Sequence, residues 1–95
     1  MTKTLTPLFS LGQVTATPEC LAAILSSGMF PDYYLRHHQH GEFGDLGAED
    51  IAENHLSIQE GFRILSAYVL PDGLRIYVIT EADLSLTTLL LVSEY

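Results

Sequence analysis

Arg63-Ile64-Leu65-Ser66-Ala67-Tyr68-Val69-Leu70-Pro71-Asp72-Gly73-Leu74-Arg75-Ile76-Tyr77-Val78-Ile79-Thr80 is the stretch on which the fold turns. From Arg63 the pattern has a period of two: Leu65, Ala67 and Val69 alternate with Ile64, Ser66 and Tyr68, as side chains on opposite faces of a strand require. Pro71-Asp72-Gly73 supplies a fixed φ, a short acceptor side chain and a residue free to take positive φ, so the chain reverses there. Leu74 to Thr80 is rich in β-branched and aromatic residues and pairs back as a hairpin. A polar break, Glu81-Ala82-Asp83-Leu84-Ser85, leads into a third strand, Leu86 to Val92, which completes a meander.

Toward the N-terminus the period becomes helical. Thr17-Pro18-Glu19 combines a capping hydroxyl, a proline suited to the first helical position and an acid favoured by the helix dipole. Leu21, Ile24 and Leu25 then give one apolar stripe up to a stop at Gly28. Pro31 opens a second helix that runs to His40 and ends at Gly41, and a third spans Ala48 to Glu60 with Ile51, His55, Ile58 and Phe62 at helical spacing. Gln13 to Thr15 reads as a short strand whose place in the sheet is left open, and residues 1–10 as an extended arm. Helices followed by strands define an α+β domain, with the helices packed on one face of a small antiparallel β-meander of three or four strands.

The chain has 95 residues, room for one core and hence a single domain over 1–95. Apolar residues form 47% of it and charged ones 17%, a balance that folds. Such an apolar composition in so small a domain also leads us to expect a homodimer. Twelve acids against four lysines and arginines leave a formal charge of −8, which repels phosphate backbones and argues against direct nucleic-acid binding. A protein partner is expected to be basic. The lone Cys20, within an apolar helix, has no disulfide mate and suits a reducing cytoplasm. No apolar stretch is long enough for a membrane span.

Three groups of residues bear on chemistry. His37, His38, His40 and His55 with Asp45 and Glu81 are metal-ligand types, but the first three sit at spacings that point to different sides of a helix, so neither a metal nor another cofactor is expected. His38, Arg63, Tyr68, Thr80 and Glu81 include the proton-transfer and cationic groups of metal-independent ribonucleolytic chemistry, which needs them to converge. Glu42, Asp45, Glu49, Asp50 and Glu53 begin an acidic stretch through Glu60; it is either a solvated helix face or a carboxylate array that occupies a basic groove.

Gly41-Glu42-Phe43-Gly44-Asp45-Leu46, Arg63-Ile64-Leu65-Ser66-Ala67-Tyr68, Ile79-Thr80-Glu81-Ala82-Asp83 and Thr87-Thr88 carry a resemblance. From Leu11 onward the chain resembles a family of small uncharacterised bacterial proteins, described as plasmid-related and carried on mobile elements. The family usually has Trp in the Gly41–Gly44 loop, where Phe43 stands here, and Arg after the Thr-Glu-Ala-Asp segment, where this chain has Leu84. The matched polar residues, His38, Asp45, Asn54, Arg63, Ser66, Tyr68, Thr80, Glu81, Asp83 and Thr88, form either a ligand site or hydrogen-bonding struts. The balance favours struts, because a small core needs its ends tied.

Charge and family context together give the leading expectation. It is a non-enzymatic accessory protein of a mobile element, binding a basic protein through Glu42, Asp45, Glu49, Asp50 and Glu53, as an inhibitor of a host defence system would. The alternative is a small ribonuclease-like or ligand-binding domain using His38, Arg63, Tyr68 and Glu81. The last strand, Thr87 to Val92, is expected to be an uncapped edge that pairs with its counterpart in a second copy.

Overall fold

The computed structural model describes residues 6–95. A four-stranded sheet has the order β1-β4-β3-β2, with β1 at Gln13–Ala16, β2 at Ile64–Val69, β3 at Arg75–Thr80 and β4 at Leu86–Leu91. The three later strands form the antiparallel meander, in which Ile64 faces Thr80 and Thr80 faces Thr87. β1 joins the sheet parallel to β4, with Val14 opposite Thr87. The last strand is therefore interior, contrary to the expectation that it forms an open edge. β1 covers it because a helical crossover between β1 and the meander is long enough to bring the chain back in the same direction.

Helix α1 (Pro18–Ser26) starts as expected, its Cys20 amide donating to the Thr17 hydroxyl at 3.1 Å. Cys20 and Ile24 are its buried side, packed over β4. Helix α2 (Pro31–Gln39) buries Tyr34, Leu35 and His38 against β2 and β3. These two helices meet the sheet face formed by Ile64, Ser66, Tyr68, Ile76, Val78, Thr80, Thr87 and Leu89. The main core lies between them, with a second cluster of Phe9, Phe43 and Ile64 at the Thr80 end.

Helix α3 (Ala48–Glu60) keeps only part of the apolar stripe read in its sequence: Ile51 and Ile58 pack on the second cluster, while His55 and Phe62 are exposed. Its buried residues are Asn54 and Ser57. The reason is the edge strand. The Asn54 amide donates to the Leu65 carbonyl at 2.7 Å and accepts from the Leu65 N–H at 3.1 Å, so one side chain satisfies both outward backbone groups of that residue. Two residues on, the Ala67 N–H donates to Phe43 O and its carbonyl accepts from the Asp45 N–H. Gly44 lies at that bridge with φ +79°, and a Cβ there would collide with the Ala67 carbonyl. The β2 edge is thus closed by protein on its outer side.

Of the arm expected over 1–10, residues 1–5 lie outside the described residues. The remainder is tied down: the Leu8 N–H donates to Gln39 O, the Gln39 amide donates to Phe9 O, and the Phe9 ring is buried.

Candidate functional site

The sequence places three histidines within four residues, and the helix sends two of them to opposite surroundings. His38 points into the protein and is completely buried. Its Nε2 meets Thr80 Oγ1 at 2.9 Å and its Nδ1 meets Ser66 Oγ; Thr80 in turn meets Thr87 Oγ1 at 2.7 Å, and Thr87 donates to the Leu11 carbonyl at 2.7 Å. A carbonyl only accepts, so the protons of the whole chain are ordered by its last member. Thr87 has spent its proton on Leu11 and accepts from Thr80; Thr80 accepts from His38 Nε2–H; Nδ1 then accepts from Ser66. Burial holds the imidazole neutral by lowering its pKa to about 3. His38 is a strut in this arrangement, with no face open to a substrate.

The other residues of the expected ribonuclease-like set do not gather around it. Tyr68 shares the helix-covered face of the sheet, and its buried hydroxyl donates to the Glu42 carbonyl at 2.7 Å, while burial raises its pKa. Arg63 and Glu81 belong to the alternate positions and are paired with each other at 3.5 Å near the opposite face. The sheet separates the two halves of the set. Sequence proximity in the paired strand ends gave no sign of this, because one residue of register decides the face.

The acids also occupy distinct places. Asp45 is bound to Arg75 at 3.2 Å. Asp50 and Glu53 line a hollow of about 360 Å³, between α3 and the open face of the sheet, that also contains Asp45, Arg63 and Arg75. Glu49 stands exposed in the first turn of α3. Glu42 lies apart from these, with its carboxylate 2.7 Å from His37 Nδ1.

That last pair marks the larger opening. A hollow of about 750 Å³ beside α2 is lined by Gly28, Met29, Phe30, Asp32, Tyr33, Arg36, His37, His40 and Glu42. Tyr33, Arg36, His37 and His40 recur at three and four along α2 and so share its outer side. The Tyr33 and His37 rings meet edge to face at 4.4 Å, and Phe30 is 68% exposed. The His37–Glu42 bond fixes the imidazole plane and commits Nδ1 to the carboxylate. Glu42 is itself set by the turn at Gly41 (φ +84°) and by Tyr68 holding its carbonyl from below. Among the described residues, Arg63 and Arg75 are each engaged with a carboxylate, whereas Arg36 makes no ion pair.

Sequence reasoning missed this site, although its signal is present. The spacing of 33, 36, 37 and 40 defines one helix face, but in the sequence His37 and His40 stand out only as metal-ligand types beside His38, and Glu42 only as the start of the acidic stretch. Burial also explains Cys20, whose thiol is pushed up to about 11 by desolvation and the Glu94 carboxylate and is unsuited to nucleophilic use. Among the described residues no group of three His, Cys, Asp or Glu side chains is arranged to hold a metal ion, and no helix is long and apolar enough to cross a membrane. Comparison of the chain with protein-family models, curated proteins and solved structures gives no match.

Proposed function

We propose that the protein is a ligand-binding domain whose site is the hollow beside α2. The observation that carries this reading is Arg36, an arginine that makes no ion pair among the described residues of a chain of charge −8, lining the larger hollow together with exposed aromatic rings. Pockets that bind small molecules combine apolar walls with a few convergent polar groups. Here Phe30, Tyr33 and Met29 suit a flat apolar body, Arg36 suits a carboxylate or phosphate through its planar donors, and His37, oriented by Glu42, adds a polar contact. The ligand class is a small aromatic acid. His38 and Tyr68 serve this site from beneath, by bracing the sheet and the Glu42 loop.

Thermal unfolding with phenylacetate, phenyl phosphate and uncharged benzyl alcohol tests it. The two anions raise Tm and benzyl alcohol does not; Arg36→Gln removes the shift while leaving the unliganded Tm within about 2 °C, as expected for an exposed substitution. Absence of any shift, or a shift that survives Arg36→Gln, contradicts the reading.

A second reading rests on the net charge. Glu49, Asp50 and Glu53 on α3 suit a basic protein partner, including one belonging to a host defence system that a mobile element has to counter. It ranks below the first because Asp45 is bound to Arg75, and because Asp50 and Glu53 share a hollow with Arg63 and Arg75, so these acids do not form an uncompensated array.

A further inference from the structure

The two edges of the sheet differ in a way that the ligand reading does not use. The β2 edge is closed by Asn54, Phe43 and Asp45. Among the described residues, β1, at the opposite edge, has no strand beyond it. Its Gln13 N–H donates to Ser85 O and the Thr17 N–H to Leu89 O, so in a parallel ladder the intervening Val14 and Ala16 turn their N–H and C=O groups outward. None of the usual protections of an edge occurs in Gln13-Val14-Thr15-Ala16: no proline, lysine, inward charge or bulge.

The surroundings of this edge select the occupant. Val14 alternates with Gln13 and Thr15 and shares the α1 side of the sheet with Ala16, which packs on the core. It is 42% exposed. On α1, the helix that follows β1 directly and packs over β4, Leu21 and Leu25 lie four apart on one side and are 38% and 47% exposed. Between Thr6 and Pro31 the one charged side chain is Glu19, whereas the acids of this −8 chain are concentrated from Asp32 onward. The carboxylates that do reach this end, Glu19 and Glu94, sit together at the start of α1, where Glu94 accepts from the Thr17 hydroxyl at 2.7 Å. Two copies of the chain, which repel each other elsewhere, can meet along Val14, Leu21 and Leu25 with little like charge between those side chains.

We infer that β1 and α1 form a two-fold interface with a second copy of this chain. β1 pairs antiparallel with its counterpart about an axis perpendicular to the sheet, giving a continuous eight-stranded sheet with both α1 helices on the same face. Val14, Leu21 and Leu25 of the two copies meet above the new strand pair. The short strand supplies few hydrogen bonds, so the leucines provide much of the hydrophobic drive.

Sedimentation equilibrium of the full chain tests this, with amide exchange as a second readout. Wild type sediments at twice the chain mass of 10.5 kDa, with the Ala16 amide protected. Val14→Pro removes an outward N–H and none of the bonds to β4; it sediments as a folded monomer with Ala16 exchanging rapidly. Leu25→Glu weakens the dimer at least tenfold without touching the sheet, and decides the matter should the proline variant fail to fold. A wild-type monomer at sub-millimolar concentration, or a dimer indifferent to Leu25→Glu, overturns the inference.

Discussion

Thr87 and Leu11 lie 76 positions apart in the chain, yet the bond between them orders the protons of His38 through Thr80. An unfolded imidazole has a pKa near about 6.5, and in the folded chain burial lowers it to about 3. The native state therefore binds fewer protons across that window, and stability contributed by neutral His38 is full above about pH 6.5 and declines as pH falls toward about 3. Urea midpoints measured at pH 7 and pH 4.5 are expected to show a loss at the lower pH, and equal midpoints would contradict a neutral buried ring. Thr87→Val leaves the Leu11 carbonyl without its donor and deprives Thr80 of its acceptor, at a cost of about 1–3 kcal/mol. The matched polar residues were read from sequence as struts or ligand groups, and for His38, Ser66, Thr80 and Tyr68 the strut description agrees with their burial and partners. What could not be read was the inward rotation of His38, because a histidine beside two others at a helix end has no signature that separates the buried ring from its neighbours.

At the scale of elements, hairpin β2–β3 and the three helices were legible because period, caps and turn residues all agree. α3 was legible only in part. Ile51 and Ile58 make the apolar contact that their spacing predicts, but His55 and Phe62 stay exposed, and the edge of β2 requires hydrogen-bonding partners, so Asn54 is drawn inward beside the two isoleucines. Asn54→Ala leaves the Leu65 N–H and C=O unpaired, and a loss of about 1–3 kcal/mol in a urea titration is expected, together with faster exchange of the Leu65 amide. No loss would mean that the Asn54 contacts contribute little. The position of β1 was illegible for another reason: a four-residue strand beside an unrelated parallel neighbour has no local pairing signal, and each of its residues pairs with one 73 positions later, as Val14 does with Thr87.

For the whole molecule, charge and topology divide the surface into three regions. The β1–α1 end has its charge confined to Glu19 and Glu94 at the start of α1, α3 and the open sheet face mix acids with Arg63 and Arg75, and the outer side of α2 holds Arg36, His37 and Glu42. The net charge read from composition is correct as a sum but silent on this division, since it takes tertiary contacts to put Asp45 on Arg75 and leave Arg36 in a hollow. On the proposed reading the accessible chemistry lies at His37 and Glu42, while His38 is fully buried. Nitrogen-resolved NMR of the histidine rings, recorded at pH 7 with and without phenyl phosphate, tests it most directly. The account predicts that His38 has the neutral pattern with the proton on Nε2 and is unmoved by the ligand, while the His37 ring resonances shift. A His38 ring that is protonated at pH 7, or that responds to the ligand while His37 does not, would contradict it.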